Sequence, residues 1–590
     1  MTRYEILRNI LAGIIDEAPA KYSKLYEKDS NKVEQYNNSL SRAFIHLFLK
    51  VRFDLLDFEE REYYVTDGGN DGGIDGYYID REHKLIYLFQ SKFRANENNF
   101  HDKEISMKEM LAMDIQRILD GEKQDEKGTD YRGKIYQLQR DINEIDDIPR
   151  YTYKVVIFAN LKGVTDSELR KLTGGYKVEV IDYQKCYSDF VFPIISGTYF
   201  SKTDLTIQID LSNKLANKIS YTVATSIGDC DITVLFVPTV EVGKFMAKYK
   251  NSILQFNPRS YLGFKSQDVN RQIAESIINQ TTNEFALFNN GITLLSEETF
   301  INEQVANKGV AKLIVKNPQI INGGQTSYTL SRLYEDNEDK SIFDKKEVLL
   351  KVITVPSEAV GKESLIEKIS NATNHQTPVG PSDRLSNMEE QIYLQKRLYN
   401  EFGTLYERKR GEYSDGISKG YISENDIIDR SLFIKIYYIL LNKISSSKAK
   451  KLFVTHRWTK EAIEDNNMIL STLFGCKSYK RIQTLSKSNI SDLDMLGKVK
   501  AMVLLYNPGQ VSEFDNVIEL HAHEVADGWS AFLEANSDKV YQKTTVLEAG
   551  GEKRTVYKRA RSKMRSWINS KDFEEKAKAF YSKDGIKYIK

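Results

Sequence analysis

Cysteine is scarce in this chain of 590 residues, and it has neither a long apolar run nor a surplus of one charge. Its three cysteines, Cys186, Cys230 and Cys476, lie far apart without C-x-x-C spacing, so no disulfide framework or zinc site is indicated. No segment approaches the ~20 apolar residues of a membrane span, and the N-terminal segment has no signal-peptide cleavage site. These absences predict a cytoplasmic protein without membrane association.

The balance of charge excludes a uniformly basic nucleic-acid-binding protein. Lysine and arginine number 84 and aspartate and glutamate 83, which gives a net charge of +1, so any nucleic-acid surface must be a local patch. The length predicts several domains. A Walker A loop and a G-x-S-x-G elbow are both missing from the sequence, which gives no support to P-loop or acyl-transfer chemistry.

The most informative pattern present is a predicted hairpin after a glycine-rich turn. Asp75 closes that turn, and two strands are predicted at Gly76–Asp80 and Leu85–Phe89. Antiparallel pairing would bring Asp75 beside the residues that follow the second strand. Among those residues, Gln90 and Lys92 are two positions apart and therefore point to the same face.

This set of side chains matches the needs of metal-dependent phosphodiester cleavage. A divalent cation polarises the phosphate and activates the attacking water, and Mg²⁺ is typically held by one or two carboxylates. A neighbouring lysine, here Lys92, can stabilise the developing negative charge. The alternative is a surface hairpin whose glycines only form turns and whose Lys92 is solvated.

The arrangement resembles the PD-(D/E)xK nuclease superfamily, in particular its Mrr-like branch, which has QxK in place of (D/E)xK. Asp75 matches the central aspartate, Gln90 the variable metal-side position and Lys92 the lysine, within a local likeness that covers roughly residues 30–190. The resemblance implies a mixed sheet flanked by helices, with Mg²⁺ or Mn²⁺ as cofactor. It also implies that Asp75, Gln90 and the Ser91 carbonyl coordinate the metal and that Lys92 is catalytic.

The candidate site departs from the family pattern in its anionic ligands. Gln90 is neutral, so Asp71 could compensate, although a loop aspartate is commonly just a turn former. The superfamily usually adds a glutamate from a preceding helix, but the predicted helix Leu40–Phe53 contains no acid. Glu34, earlier on the same helical run, is the candidate, and a plain surface glutamate is the alternative.

The order of elements around the hairpin agrees with an α/β domain. Helical periodicity is clear in the N-terminal 60 residues, and a polar helix is predicted from about Lys103 to Leu119. Apolar strands are predicted at Tyr153–Asn160 and Tyr176–Asp182, with a helix opened by Thr165 between them.

Several separated motifs in the middle of the chain resemble the AIPR family, which is named for abortive infection and phage resistance. The likeness covers some 250 residues and implies a bacterial anti-phage role. The motifs are Phe256–Gly263, Phe285–Leu295 (expected as a strand interrupted at Asn289–Gly291), Gln319–Leu330, Ser370–Asn374 and Tyr406–Tyr413.

One of these motifs predicts an anion site. A strand that runs through a Gly-Gly turn into a helix presents free backbone N–H groups and the positive end of the helix dipole, which suit a phosphate. Arg259 and Asn290 could approach it. A strand-turn-helix unit is also common in any α/β protein, so a purely structural role is the alternative. The turn itself consists of Asn322, Gly323, Gly324, Gln325 and Thr326.

Two basic segments are candidate nucleic-acid contacts. The first, Arg408, Lys409 and Arg410, lies beside tyrosines, but short charge runs are usually solvated. The second, Lys553–Arg565, predicts a strand followed by a basic helix; its candidate contacts are Lys558, Arg559 and Arg561. The alternative for this segment is a salt-bridging face against Glu574 and Glu575.

The sequence therefore predicts an α/β multidomain protein. Residues 1–195 are expected to form the nuclease-like domain, 196–220 a linker with some strand character, 221–480 an α+β AIPR-like domain and 481–590 a mostly helical, basic region. The expected activity is a Mg²⁺-dependent endonuclease of a defence system, with DNA preferred over RNA. A catalytically inactive nucleic-acid-binding or nucleotide-sensing regulator is the alternative. The resemblance also makes a phage-derived trigger or regulatory partner plausible, and homo-oligomerisation stays open.

Overall fold

The computed structural model divides the chain into two compact units. Unit 1 comprises Met1–Gln255, Tyr261–Lys362 and Glu412–Ser423, and unit 2 comprises Phe256–Ser260, Glu363–Gly411 and Glu424–Lys590. The first unit thus continues through the range predicted as a linker. The structure describes residues 1–105, 113–161, 164–173, 175–200, 203–210, 219–257, 268–302, 310–355, 361–373, 385–443, 460–485, 490–547 and 553–581.

Unit 1 alternates strands and helices. Its strands are β1 (Gly76–Asp80), β2 (Leu85–Ser91), β3 (Glu104–Ile105), β4 (Thr152–Phe158), β5 (Asn160–Leu161), β6 (Lys177–Ile181), β7 (Leu205–Asp210), β8 (Ile219–Thr225), β9 (Gly228–Pro238), β10 (Ile292–Ser296), β11 (Glu298–Asn302), β12 (Val310–Lys316), β13 (Gln319–Asn322) and β14 (Glu347–Thr354).

The helices of unit 1 are Arg3–Asp16, Val33–Arg52, Phe58–Tyr63, Glu97–Asp102, Ile115–Leu119, Gly133–Asn143, Asp166–Leu172, Tyr183–Cys186, Phe192–Ser196, Thr239–Tyr249, Asp268–Ile278, Phe285–Phe288, Gly324–Asp336 and Ser414–Ser418. Short 3-10 turns lie at Ala20–Tyr22, Ile148–Arg150, Lys250–Ile253 and Lys340–Phe343, and a π turn lies at Tyr187–Val191.

The N-terminal part of unit 1 contains a mixed sheet with the strand order β1-β2-β4-β6. Strands β1 and β2 are antiparallel with Gly76 opposite Phe89. Strands β2, β4 and β6 are parallel, so the chain crosses over through helices between them. The carboxyl ends of these three strands therefore lie at the same edge of the sheet.

Helices cover both faces of this sheet, which explains why β2 is buried along most of its length. On one face, Phe48 of the helix Val33–Arg52 packs against Phe89 and Phe158, with ring centroids 5.0 and 4.8 Å away. On the other face, Ile135 and Leu138 of the helix Gly133–Asn143 belong to the same buried cluster as strand residues such as Leu88. The expected mixed sheet flanked by helices is present.

The predicted elements around the hairpin are largely confirmed. The two hairpin strands, the two later strands and the helix capped by Thr165 occur close to their expected positions. The polar helix predicted at 103–119 is wrong in part, because Glu104–Ile105 pairs with β5 as a short parallel strand. Only Ile115–Leu119 of that prediction is a described helix, and residues 106–112 lie outside the described ranges.

A five-stranded sheet of order β13-β10-β14-β9-β8 and a three-stranded sheet of order β11-β12-β7 complete the main sheets of unit 1. Strand β7 lies inside the predicted linker and pairs along its length with β12. The motif Phe285–Leu295 is not one interrupted strand, because Phe285–Phe288 forms a helical turn and only Ile292–Ser296 is a strand. Apolar residues at this spacing are compatible with either element over so short a run.

Unit 2 is mostly helical. Its helices, including one that begins at the boundary residue Lys362, are Lys362–Thr373, Glu389–Phe402, Arg430–Leu440, Lys460–Glu464, Asn466–Leu485, Asp492–Tyr506, Phe514–Ala535, Ser537–Val540, Arg561–Ile568 and Lys571–Tyr581. Its 3-10 turns are Leu385–Asn387, Glu424–Asp426 and Val511–Glu513. Its strands are β15 (Leu405–Glu407), parallel to β16 (Ile427–Asp429), and β17 (Tyr541–Leu547), antiparallel to β18 (Lys553–Arg559).

The core of unit 2 is built from the apolar faces of these helices. Phe474 of the central helix Asn466–Leu485 is fully buried, as are Phe514 and Phe532 of the helix Phe514–Ala535. At Gly497 an added Cβ would meet the Trp529 ring, so the glycine permits close approach of two helices. The predicted helical C-terminal region is confirmed, including the strand and basic helix of the segment that begins at Lys553.

All three cysteines are buried and unpaired with one another. Within the described ranges, every helix is too short or too polar to cross a membrane.

The turn at Gly323 is fixed by close packing. Gly323 has φ +83°, and an added Cβ would lie 2.9 Å from the Gly291 carbonyl oxygen and from the Ile292 Cα. We expect Gly323→Ala to destabilise the protein by at least about 2 kcal/mol, since strain and overlap add. Gly128→Ala is the matched control, because Gly128 also has positive φ but open space around it. Equal losses for both in urea unfolding would show that the contact with Gly291 is unimportant.

Candidate metal centre

Asp75 is fixed by its backbone at the start of the hairpin. Its N–H donates to the Phe89 carbonyl at 2.8 Å, and its carbonyl accepts from the N–H groups of Thr66 and Asp67 at 3.0 Å each. Its carboxylate Oδ2 accepts from the Ser91 N–H at 2.5 Å. The hairpin thus brings Asp75 beside the end of β2, as the sequence predicts.

Three carboxylates converge at this end of the hairpin. One oxygen from each of Asp67, Asp71 and Asp75 lies within 4.8 Å of the others. Among the described residues, these three form the one group of acidic, histidine or cysteine side chains close enough together to hold a metal ion. The spacing of the three acids, four residues apart within a glycine-rich loop, is the sequence signal that could have revealed Asp67, which the sequence prediction missed.

Asp71 has two roles in this loop. Its Oδ2 accepts from the Gly68 N–H at 3.0 Å and its Oδ1 from the Gly73 N–H at 2.9 Å. These bonds close the turn, as expected for a loop aspartate. They leave lone pairs on both oxygens, since each carboxylate oxygen can accept more than one interaction. The turn-forming role therefore holds the Asp71 carboxylate near Asp75.

The electrostatics of the cluster favour an added cation. Burial is the main cause that raises the pKa of Asp75 to about 7, and the negative charges of Asp67 and Asp71 act in the same direction. The hydrogen bond from the Ser91 N–H and the positive charge of Lys92 lower this pKa but do not offset the effect of burial. Burial also raises the pKa of Asp67, while Arg42 opposes that shift. The positive charges of Lys92 and Arg42 therefore do not fully compensate the negative charge that these carboxylates carry when ionised. A divalent cation would supply the missing positive charge.

Gln90 occupies the end of β2 with only 1% of its surface exposed. Its Nε2 donates to the Gly73 carbonyl at 3.3 Å, within the loop that carries Asp71 and Asp75. Its Oε1 is buried, and no hydrogen-bond donor reaches it from the part of the chain that the structure describes. A buried amide oxygen without a donor is costly, so the residues present fit a metal that takes Gln90 as a neutral oxygen ligand.

Lys92 follows β2 and continues its pairing with β4, because its N–H donates to the Phe158 carbonyl at 3.0 Å. Its side chain is half-buried. No hydrogen bond or ion pair engages its ammonium group within the described ranges, yet its charge lowers the pKa of Asp75. The ammonium group of Lys92 therefore lies near the carboxylates and can still contact a ligand.

Glu34 is not brought together with the carboxylate cluster. It lies in the first turn of the helix Val33–Arg52 and is exposed. Asp67, from the loop, takes the place that the sequence prediction gave to a helix-borne glutamate. Glu62, another acid before the hairpin, is committed to a buried network instead.

That network lies directly behind Asp67. Arg42 donates from Nη1 to the Asp67 carbonyl at 2.6 Å and from Nη2 to Glu62 Oε1 at 2.8 Å. Glu62 Oε2 also lies 3.0 Å from His46 Nε2 and accepts from the Tyr26 hydroxyl. Burial lowers the pKa of His46 to about 4, so His46 is neutral at pH 7 and Arg42 is the cation that balances Glu62.

The predicted anion turn is present as a strand-turn-helix unit. The Gly323 N–H donates to Asn322 Oδ1 at 2.7 Å, and the Gly323 carbonyl accepts from the Ser327 N–H at 2.9 Å. The neighbouring side chain that contacts the turn is Asn289, whose Nδ2 donates to Thr326 Oγ1 at 3.0 Å. Thr326 is buried, whereas Gly324 and Gln325 are half-buried.

The structure describes one of the two residues predicted to approach this turn. Asn290 is exposed and Asn289 makes the contact instead, because the chain turns at Gly291. Arg259 lies outside the described residues. Close packing accounts for the glycine at position 323, and the anion site stays a prediction.

The basic segment Arg408, Lys409 and Arg410 is largely built into unit 2. Arg408 donates from Nη1 to the Ser386 carbonyl at 2.7 Å and to Asn387 Oδ1 at 3.0 Å. Lys409 is buried, and only Arg410 is exposed. Arg408 and Lys409 therefore do not form a solvated face, whereas phosphate contact by this segment stays a prediction.

The C-terminal basic segment Lys553–Arg565 differs from the first one because most of its candidate contacts are exposed. Lys558 and Arg561 are exposed, whereas Arg559 pairs with Asp494 at 2.8 Å. The alternative of a salt-bridging face against Glu574 is wrong for that acid, because Glu574 pairs with Lys500 at 3.1 Å. Nucleic-acid binding by Lys558 and Arg561 stays a prediction.

The fold and the site together define an α/β protein with a carboxylate cluster at the end of a hairpin in a helix-flanked mixed sheet. Beside the cluster is a lysine whose ammonium group makes no ion pair with the described residues. Residues 254–512 match the family model described as AIPR protein, which confirms the resemblance of the middle region to that family. The match covers less than half of the chain and leaves the carboxylate cluster outside it. Comparison with curated proteins gave no match, and comparison with solved structures gave none.

Proposed function

We propose that this protein is a Mg²⁺-dependent endonuclease of a bacterial anti-phage defence system, with DNA preferred over RNA as the substrate. The observation that carries the proposal is the convergence of Asp67, Asp71 and Asp75 beside Gln90 and Lys92. The resemblance of residues 71–92 to the QxK branch of the PD-(D/E)xK nucleases supports the chemistry. The match of residues 254–512 to AIPR protein supports the role in defence.

The protein side of the reaction follows from the placement of these groups. Asp75 and Asp67, with Asp71, would hold the cation, and the Gln90 amide oxygen would add a neutral ligand. When bound, the cation supplies Lewis-acid polarisation of a phosphate and lowers the pKa of a bound water. Lys92 then stabilises the negative charge that develops on the phosphate oxygens, since its ammonium group makes no other polar contact with the described residues.

Incubation of the purified protein with plasmid, linear DNA and RNA tests the proposal, each with Mg²⁺, with Mn²⁺ and with EDTA. We expect cleavage of DNA in the metal lanes, none in EDTA, and a loss of about a hundredfold or more in Lys92→Ala. The control is Lys127→Ala, which removes a lysine from an exposed loop of the same unit. Undiminished cleavage by Lys92→Ala would refute the proposed site, and DNA binding without cleavage in any lane would favour the inactive regulator.

A further inference from the structure

A second group of polar side chains lies next to the candidate metal centre, in a pocket at the carboxyl ends of β2, β4 and β6. Phe158 and Ile181, from the ends of β4 and β6, form part of its wall. In open α/β sheets, ligands bind in the crevice outside the carboxyl ends of parallel strands. Lys92 lines this pocket and also acts on Asp75, so the pocket and the carboxylate cluster share one side chain.

The pocket is rich in cations. Lys92, Arg94 and Lys103 all line it, and none of them forms an ion pair within the described ranges. The acid in its lining is Asp182, whose Oδ1 already accepts from the Lys185 N–H at 2.9 Å and so caps a helix. The lining therefore presents an excess of positive charge with little internal compensation, as an anion-binding site requires.

Arg94 brings a guanidinium nitrogen without an acceptor among the described residues to this lining. Its backbone is held in place because its carbonyl accepts from the Tyr4 hydroxyl at 2.8 Å. Its Nε is buried, and no acceptor reaches it from the described residues. A buried guanidinium nitrogen without an acceptor costs free energy, and guanidinium groups match the oxygens of phosphate in geometry and charge.

The enclosed part of the pocket measures only about 20 Å³, room for little more than one water molecule, so a larger anion would lie at its opening. We propose that this opening is a phosphate-binding subsite, in which Arg94 and Lys103 hold a phosphate of the nucleic-acid strand next to the bond that is cut. The assignment rests on the proposed nuclease function and extends it to substrate positioning. Lys92 lies between the carboxylate cluster and Arg94, because it lines the pocket and also acts on Asp75. A nucleic-acid strand with one phosphate at the carboxylate cluster would therefore place its adjacent phosphate near Arg94. The phosphate can be a backbone diester or the monoester at a strand end, and the two sources are separable.

The test measures binding rather than cleavage. Full-length protein is titrated with a short 3′-fluorescent DNA carrying either a 5′-phosphate or a 5′-hydroxyl, in Ca²⁺ so that the strand stays intact. We expect Arg94→Gln and Lys103→Gln each to raise Kd about tenfold and to lower the slope of log Kd against log salt by about 1. Arg94→Lys should recover part of the affinity, and the control Lys127→Gln should bind as the wild type does.

The oligonucleotides identify the source of the phosphate. Loss of a preference for the 5′-phosphorylated strand in Arg94→Gln identifies a terminal monoester, whereas equal weakening for both strands identifies a backbone diester. Wild-type affinity and salt slope in both glutamine variants would overturn the subsite, as would a wild-type protein that binds no DNA. Weakened binding in these variants, together with absence of cleavage by the wild type, would keep the subsite and refute the nuclease.

Discussion

Asp75→Asn is expected to lower metal-dependent cleavage by about a thousandfold or more. Backbone hydrogen bonds to the neighbouring strand and loop hold Asp75 in place. Removal of its charge takes away the central anionic ligand, and a neutral amide binds Mg²⁺ more weakly than a carboxylate does. The asparagine Oδ1 can still accept from the Ser91 N–H, so the hairpin should be preserved.

In the absence of metal, Asp75→Asn should not lower the stability of the protein. Burial and the nearby charges of Asp67 and Asp71 disfavour an ionised Asp75, so we expect the variant to unfold at the same temperature as the wild type or a higher one. Calorimetric titration with Mn²⁺ and a cleavage assay measure the two losses, and thermal unfolding checks the fold. Asp146→Asn, an exposed aspartate of the same unit, is the control. Cleavage at the wild-type rate by Asp75→Asn would end the assignment.

Arg42→Met is expected to cost about 3–5 kcal/mol of stability, the usual consequence of leaving a buried charge without its partner. The side chains of Arg42 and Glu62 are 8% and 4% exposed, and they meet at 2.8 Å. Burial keeps His46 neutral at pH 7 in the wild type, so His46 does not balance the Glu62 charge there. Arg42 also holds the Asp67 carbonyl, so the variant should bind Mn²⁺ more weakly at any pH where it is folded.

Arg52→Met provides a control on the same helix. Arg52 pairs with Glu179 at 3.4 Å, but its side chain is 43% exposed, so the loss should stay below about 1 kcal/mol. Urea unfolding measures both variants, and addition of Glu62→Gln to Arg42→Met should recover part of the stability, because the unpaired charge is then removed. Similar losses for the two methionine variants would contradict the role given to the buried pair.

Much of the N-terminal architecture could be predicted from the sequence because the signals are local. Short apolar runs and the turn at 81–84 fix the two hairpin strands, and pairing of those strands brings Asp75 to the end that Gln90 and Lys92 share. The error at Phe285–Phe288 has a local cause as well, since a four-residue apolar run has no distinct period.

The sequence by itself determined the hairpin, its candidate residues and the resemblance of the middle region, since each depends on residues close together in the chain. Only the tertiary structure decided that Arg42 and Glu62 support the cluster from behind, that Glu34 lies apart from it, and that Arg408 and Lys409 are built into unit 2. These outcomes depend on contacts between residues distant in sequence, whose distances and burial no local pattern specifies. Charge and residue type indicate what a side chain can do, but its neighbours decide which of those uses remains available.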